Sequence, residues 1–200
     1  MSVKSERLGG RLPLLDPQAL SIAQKEIYDR LNMTMIPWAD GAHFKSKTEG
    51  GRLIGPFNPI LFSPHISARF LDLHDGEEKD TSLSERVRQV VILSVGAVWK
   101  SEYELYAHTA AAREAGISEG AIRTLAIGRL PNDLSDQEKI AQIFARQLSA
   151  EHRVDAALYS AAEHAFGQQG IVDIVYLTGI YHIVCALLNA FEIPVPGSEV

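Results

Sequence analysis

Serine followed three positions later by glutamate recurs in this chain, and this motif restricts the fold more than any other sequence feature. Three of the motifs, which begin at Ser82, Ser101 and Ser135, each open a run with apolar residues at helical spacing. The serine side chain can accept from a free N–H at a helix start, while the glutamate binds the serine N–H in return. Strand signals are scarce, so the pattern predicts an all-α fold of about eight helices.

Further start and stop signals give the boundaries of the predicted helices. Residues 32–55 have no sustained period and are predicted to form one long loop with room for a helical turn. Residues 75–80 are predicted to form a short charged loop. The helices predicted outside the three motifs run from Asp16-Pro17 to about Leu31, from Ser63-Pro64 to about Leu73, from Ser118 to about Gly128, from Asp155 to Gly167 and from Gly170 to about Phe191.

Size and charge limit the classes of function. A chain of 200 residues, 46% of them hydrophobic, can bury one sizeable core. We therefore predict a single domain over residues 1–200, with its core at about 12–197. The net charge is −6 and no basic stripe is present, so we expect no nucleic-acid partner.

One apolar run and one cysteine bear on the cellular compartment in which the protein is expected. The run Ile174–Phe191 is interrupted by His182 and Asn189, which predicts a buried core helix rather than a membrane span. Residues 1–10 lack the apolar core of a signal peptide, and Cys185 has no second cysteine with which to form an internal disulfide. We therefore expect a cytoplasmic protein without a membrane partner.

The candidate site lies in the stretch Ser101–His108. Glu104 and His108 are four positions apart, so on a helix they share one face and can touch. A carboxylate beside an imidazole can orient the ring and hold its proton, which is the minimal arrangement for general acid–base catalysis. Two structural interpretations stay open: Glu104 as part of a capping box, and His108 as a core histidine bound to a backbone carbonyl. We name both as the candidate catalytic residues.

Neighbouring polar residues are candidates for substrate binding. Tyr103 and Tyr106 could donate a hydrogen bond to a substrate oxygen, although buried packing is the commoner role of a tyrosine in a core. Glu102 is a further candidate, although an acidic residue in the first helical turn is also explained by the helix dipole.

Metal and cofactor sites are not expected. The Glu104 and His108 spacing would suit two metal ligands, but a third would have to come from a distant His43, His65 or His182. The chain has no glycine-rich phosphate loop of the GxGxxG type.

Three stretches, taken in order, resemble one known family. They are Gly55–Pro59 followed by Ser63-Pro64; Leu83–Leu93 continuing through Glu102-Tyr103-Glu104 to His108 and Ala111–Ser118; and Tyr181-His182 with Leu188–Phe191 and Ile193–Pro196. The ordered set resembles the carboxymuconolactone decarboxylase family, which includes the alkyl hydroperoxidase D-like proteins. The resemblance implies a single-domain helical bundle that associates as trimers or hexamers, so a homo-oligomer is expected.

The resemblance also implies roles for particular positions. In the hydroperoxidase branch two cysteines stand where this chain has Ser101 and Glu104, and a glutamate stands where it has Gln89. The decarboxylase-like branch keeps the histidine without the cysteine pair, and this chain is closer to that branch. Members with a Glu-x-Glu-Trp-x-x-His pattern have a tryptophan where this chain has Leu105. Gln89 joins the candidate substrate-binding residues.

Three hypotheses for function follow. The first is a cofactor-independent, carboxy-lyase-like enzyme that decarboxylates a small organic acid or lactone, or moves a proton within it. In it His108 reprotonates carbon, Glu104 sets the tautomer of His108, and Gln89 or Tyr106 contacts the small-molecule substrate. The second is alkyl hydroperoxidase-type peroxide reduction, which the missing cysteine pair disfavours. The third is a non-catalytic helical oligomer that binds a ligand.

Overall fold

The computed structural model describes residues 7–197, and its regular structure there is helical. These residues contain no sheet strand, only an isolated antiparallel bridge between Lys47 and Leu53, so the all-α prediction is confirmed. Residues 1–6, on which the expectation of no signal peptide partly rests, lie outside the described residues. After a 3-10 turn at Arg7–Gly9 the helices are α1 Ile22–Met33, α2 Met35–Gly41, α3 Phe57–Ile60, α4 Pro64–Asp80, α5 Glu85–Trp99, α6 Glu102–Glu114, α7 Glu119–Ala126, α8 Asp136–Glu151 and α9 Ala156–Ala190.

Of the predicted capping boxes, the one at α8 is complete. The Ser135 hydroxyl accepts from the Glu138 N–H at 3.3 Å, and the Glu138 carboxylate accepts from the Ser135 N–H at 2.8 Å. The box predicted at Ser82 is wrong, because Ser84 caps α5 instead. Ser82 is drawn to α9, where the Asp173 carboxylate accepts from both its N–H and its hydroxyl.

The box predicted at the start of α6 is also wrong in its side-chain contacts. Ser101 is the N-cap residue of α6, but its hydroxyl makes no capping bond. The glutamate at the third helical position, Glu104, is buried and lies against His108 rather than folding back to the helix start. The motif therefore marks the correct helix start while its acidic side chain serves another contact.

Two other predicted boundaries are wrong. A complete capping box of Ser21 and Gln24 starts α1 later than predicted, while the Asp16 carboxylate accepts from the Gln18 N–H in a preceding turn. Residues 75–80 continue α4 instead of forming a loop, because Glu77 is held there in an ion pair. The predicted loop 32–55 contains the short helix α2.

The chain divides into two compact units, and the first contains described residues 7–74 and 186–197. There Asn58 fixes the segment before α1, since its amide donates to the Pro13 carbonyl at 3.2 Å and its carbonyl accepts from the Leu15 N–H at 3.2 Å. The Arg11 N–H donates to the Phe191 carbonyl at 2.7 Å, which joins the two parts of this unit. The single-domain assignment stays a prediction.

The second unit, residues 75–185, is built around α5. Every residue from Val87 to Gly96 is buried, and α5 packs against α6, α7 and α8. Because α5 is enclosed on all sides, its polar side chains Arg88 and Gln89 are carried into the interior. The unit also contains a buried apolar cluster: Val90, Leu93, Ala112, Ile117, Ala121, Ile122, Leu125 and Leu134.

A break at Gly167 divides α9 into two helical segments, residues 156–166 and 168–190. Gly167 has φ 67° and ψ 179°, a conformation that side chains with a Cβ rarely adopt. The predicted end of one helix at this glycine is confirmed. By length and composition α9 is apolar enough to cross a membrane, but half of its most apolar window is buried within the protein, as in a core helix.

Candidate active site

Glu104 and His108 lie one turn apart on α6, and both side chains are buried in the second unit. The side chains are 3% and 6% exposed, and Glu104 Oε1 lies 3.2 Å from His108 Nε2. The shared helix face expected from the sequence therefore brings the carboxyl group and the imidazole into contact.

A glycine on the neighbouring helix makes room for this pair. A Cβ added at Gly96 of α5 would lie 3.3 Å from Glu104 Cγ and 3.2 Å from Leu105 Cδ2. Glycine therefore lets α6 approach α5 closely at the position of the carboxyl group. Gly96 has no predicted role, although a glycine inside a strongly apolar helix is a signal of close packing.

Gln89 of α5 holds the other side of the imidazole. The Gln89 carbonyl oxygen lies 2.8 Å from His108 Nδ1, and the Gln89 amide group donates to Glu85 Oε1 at 2.7 Å. A carbonyl oxygen can only accept, so Nδ1 carries a proton and donates it to Gln89. In the neutral ring the lone pair is then on Nε2, which faces Glu104.

The surroundings of Glu104 favour its neutral form. Burial raises the pKa of this carboxyl from 4.5 to about 8, so it is mainly protonated at neutral pH. Its Oε1 atom is enclosed, lies 3.2 Å from His108 Nε2 and makes no aligned hydrogen bond. A protonated carboxyl beside an unprotonated Nε2 places one mobile proton at the site.

Two side chains of α9 adjoin the pair. The Tyr181 ring meets the His108 imidazole edge-on, with ring centres 5.0 Å apart. Cys185, one turn further, is fully buried, and burial together with the Glu104 charge raises the pKa of its thiol. Tyr181 has no predicted role, because it lies on a different helix from His108 and no local sequence pattern relates the two positions.

The remaining substrate-binding candidates are placed differently from one another. Tyr103 is 1% exposed, and burial raises the pKa of its hydroxyl, with smaller effects of Tyr106 and Glu104. Its ring packs edge-on against Tyr106 at 5.7 Å between centres. Glu102 is exposed in the first turn of α6 and is not brought to the pair. Gln89, in contrast, is bonded to His108.

An ion-pair cluster adjoins Gln89. The Arg88 guanidinium donates to the two oxygens of Glu77 at 2.7 and 3.3 Å and to Glu85 Oε2 at 2.8 Å. Burial opposes the charge of Arg88, but the carboxylates, Glu77 above all, outweigh it and raise the pKa, so the group stays charged. Through Glu85 this cluster is continuous with Gln89 and the imidazole.

The histidine of α9 has partners of its own. His182 Nε2 lies 2.8 Å from the Ser149 hydroxyl, and its ring meets Trp99 edge-on at 5.7 Å between centres. Burial and the nearby His152 lower the pKa of His182. Within residues 7–197 no group of three or more His, Cys, Asp and Glu side chains is arranged to hold a metal ion.

Comparisons with known proteins bear on the segment that carries this site. Residues 64–145 match the sequence model of the carboxymuconolactone decarboxylase family. No curated protein sequence matches the chain. The matched residues include Glu85, Gln89, Glu104 and His108, so the network described above lies wholly within that segment.

Solved structures of similar fold cover nearly the whole chain. One is an uncharacterized peroxidase-related protein with an alkylhydroperoxidase AhpD core from Ralstonia eutropha, 21% identical, covering 94% of this chain and 92% of its own, with a TM-score of 0.74. A peroxidase-related protein from Silicibacter sp. is 15% identical, with coverages of 98% and 96% and a TM-score of 0.72. A cysteine-to-alanine variant of the debrominase Bmp8, in complex with 2,3,4-tribromopyrrole, is 11% identical, with coverages of 90% and 94% and a TM-score of 0.67.

These comparisons agree with the fold and the motifs. At such low identities the structural likeness shows the fold, which is that of the alkylhydroperoxidase D-like proteins. The sequence match covers α5 and α6, which hold the imidazole and its partners. Residues 64–145 thus match the carboxymuconolactone decarboxylase family, and the chain has the fold of the alkylhydroperoxidase D-like proteins.

Proposed function

We propose that the protein is a cofactor-independent acid–base enzyme that decarboxylates a small organic acid or lactone, or moves a proton within it. The observation that supports this most is the buried Glu104 carboxyl, with a pKa of about 8, beside Nε2 of an imidazole whose Nδ1 proton is held by Gln89. A general acid works best when its pKa lies near the working pH. The pair then supplies a proton donor and a proton acceptor in one buried place.

The proposed reaction on a β-keto acid has two steps. In the first, the bond between the α-carbon and the carboxylate breaks, CO2 leaves, and the electron pair moves onto the neighbouring carbonyl as an enolate. In the second, a proton held by Glu104 and His108 is transferred to the α-carbon, and the carbonyl double bond is restored. In a proton shift, His108 Nε2 removes the proton from one carbon and the same pair returns it to another.

Two competing functions give different results in experiments. Thiol-dependent peroxide reduction requires a reactive cysteine, whereas Cys185 is fully buried and the pKa of its thiol is raised. A ligand-binding oligomer requires that a compound binds but is not turned over. Because this fold also occurs in a debrominase, the fold itself does not select among these reactions.

The test is a panel of β-keto acids and unsaturated lactone acids, incubated in D2O and followed by NMR. We expect CO2 release from one class, with deuterium at the α-carbon of the product. Glu104→Gln and His108→Gln should lower the rate by about 100-fold or more. Glu114→Gln, an exposed glutamate on the same helix, is the matched control and should keep the wild-type rate.

Each competing function has its own outcome in this test. A compound that raises the melting temperature without being turned over would favour the binding protein. Peroxide turnover that is lost in Cys185→Ser would favour the hydroperoxidase. Full turnover by Glu104→Gln or His108→Gln would remove those residues from the mechanism.

We further propose that the protein is a homo-oligomer, a trimer or hexamer, associated through the second segment of α9. Val172, Tyr176 and Ile183 follow one another at helical spacing and are 51%, 55% and 45% exposed. A row of apolar side chains this exposed is typical of an interface. Sedimentation should give a mass above the monomer for the wild type and a smaller one for Ile183→Glu. A monomeric wild type would contradict this proposal.

The proposed setting is the cytoplasm, with a small-molecule substrate and without nucleic-acid or membrane partners. The lone cysteine suits a reducing compartment, and the net charge of −6 disfavours the phosphate backbone. Fractionation of cells that produce the protein tests the location directly.

A further inference from the structure

The order of donors and acceptors along one hydrogen-bonded chain bears on the protonation of the site. The chain of contacts runs from Arg88 to Glu85 Oε2 at 2.8 Å, from Glu85 Oε1 to the Gln89 amide at 2.7 Å, and from the Gln89 carbonyl to His108 Nδ1 at 2.8 Å. Arg88, the first member of this chain of contacts, is itself held by an ion pair with the buried carboxylate of Glu77, 2.7 Å away. Each link therefore has a fixed neighbour on both sides.

A carboxamide between two partners presents its NH2 group to one and its oxygen to the other. The partner that can only accept therefore determines which group faces the second partner. Glu85 is a carboxylate and can only accept, so Gln89 must turn its NH2 group toward Glu85. The Gln89 oxygen is then turned toward the imidazole, and Nδ1 must donate to it. If the carboxamide were reversed, its NH2 group would face Nδ1 and the imidazole proton would move to Nε2, toward Glu104.

We infer that Glu85 is a positioning residue, which sets the tautomer of His108 through the orientation of the Gln89 carboxamide. This inference rests on the proposed function for its effect on turnover, but not for its effect on the tautomer. Glu85 does not touch the imidazole, and its side chain is 52% exposed at the surface. The ion pair with Arg88 holds this exposed carboxylate against Gln89.

A purely structural role for Glu85 predicts something different. As the first residue of α5, Glu85 is acidic at a helix N-terminus, where a negative charge stabilises the helix dipole. Replacing it on that account would lower stability and leave the imidazole tautomer unchanged. The tautomer is therefore the measurement that separates the two roles.

The substitution Glu85→Gln has a defined expected effect. Arg88 can only donate, so it will hold the oxygen of the new carboxamide, as it now holds Glu85 Oε2. The new NH2 group then faces Gln89, which must present its oxygen there and its own NH2 group to His108. The dominant tautomer should change from Nδ1–H to Nε2–H.

A second substitution should reverse this change. In the double variant Glu85→Gln/Gln89→Glu, the carboxylate at position 89 accepts from the NH2 group at position 85 on one side. It can accept from the imidazole on the other side as well, so the Nδ1–H tautomer should return. Like the wild type, the double variant has one carboxylate and one carboxamide at positions 85 and 89. It therefore also controls for the negative charge that Glu85→Gln alone removes.

The experiment is two-bond 1H–15N NMR of histidine-labelled protein at a pH where His108 is neutral. We expect Nδ1–H in the wild type, Nε2–H in Glu85→Gln and Nδ1–H again in the double variant. The control is Glu119→Gln, which removes a carboxylate of similar exposure, 51%, paired with Arg113 elsewhere in the unit, and should leave the tautomer unchanged. On turnover, Glu85→Gln should lower kcat with little change in KM, and the double variant should recover it.

The wild-type spectrum gives the first decision, because Nε2–H there would overturn the inference before any variant is made. An unchanged Nδ1–H tautomer in folded Glu85→Gln would overturn it as well, and so would a double variant that keeps Nε2–H. If neither the wild type nor any variant turns over a compound, the proposed function fails. The tautomer measurements still decide the role of Glu85.

Discussion

Replacing Glu104 with glutamine is expected to remove a strong dependence of stability on pH. Burial raises the pKa of Glu104 from 4.5 to about 8, so between these pH values the folded chain holds a proton that the unfolded chain has released. The stabilisation is complete below about pH 4.5, declines as the pH rises, and is lost above about pH 8. A tenfold change in an equilibrium constant corresponds to about 1.4 kcal/mol, so a rise in pKa from 4.5 to about 8 corresponds to about 5 kcal/mol.

The neighbouring imidazole modifies the size of this loss. If Glu104 ionised beside a protonated His108, their attraction at 3.2 Å would restore part of the free energy of unfolding that ionisation removes. The His108→Gln background removes that pairing, so the dependence on pH should be steepest there. Comparing the two backgrounds therefore measures the contribution of the pair.

Urea unfolding between about pH 5 and pH 9 measures this effect. The free energy of unfolding of the wild type, minus that of Glu104→Gln, should fall as the pH rises, because the other titrating groups are common to both proteins. The exposed Glu114→Gln should follow the wild type at every pH. If the wild-type and Glu104→Gln curves run parallel from pH 5 to 9 in both backgrounds, the buried carboxyl does not hold its proton as we argue.

Three further substitutions or reactions test the surroundings of the site. Gly96→Ala should lower both stability and turnover, because its methyl group would lie 3.3 Å from Glu104 Cγ. Overpacking costs about 1–3 kcal/mol, against a helix-propensity gain of about 1 kcal/mol. Urea unfolding measures the effect on stability, and kcat measures the effect on turnover. Arg88→Met should cost about 3–5 kcal/mol by urea unfolding, because Glu77 is left buried without its partner; a neutral effect would contradict the buried pairing. Cys185 should react with a thiol reagent only in denaturant, since it is fully buried; rapid labelling of the native protein would show that the site opens.

Two identical sequence motifs show how far prediction from the sequence extends. Ser101-x-x-Glu104 and Ser135-x-x-Glu138 contain the same letters and both mark a true helix start. In the second, the glutamate returns to its serine, and in the first it turns inward to a histidine one turn later. Local hydrogen bonding fixes where such a helix starts, but the direction of the acidic side chain depends on which partner the tertiary structure offers.

The parts of the site that were not predicted depend on residues far apart in the sequence. The contact of Tyr181 with His108 joins α9 to α6, and no local pattern relates the two positions. The extension of α4 past Leu73 similarly depends on Glu77, whose partner Arg88 belongs to the next helix. By contrast, the contact of Glu104 with His108 lies within one helical turn, and helical spacing was sufficient to predict it.

The chain departs from the pattern of the hydroperoxidase branch at Gln89, which replaces a glutamate, and at Glu104, which replaces a cysteine. One change removes a carboxyl group from the site and the other adds one. A glutamate at position 89 together with Glu104 would place two carboxyl groups around one buried imidazole, so the site would hold a buried negative charge unless both carboxyl groups were protonated. With Gln89 the imidazole is bonded on that side to a group that cannot ionise, and Glu104 alone contributes the proton of the pair. The neutral carboxyl, neutral imidazole and carboxamide together carry no net charge, which a buried site tolerates. Neither Ser101 nor Glu104 can undergo the thiol oxidation of the cysteines that occupy these positions in the hydroperoxidase branch, so on the proposed function the same imidazole takes part in proton transfer and not in thiol redox chemistry.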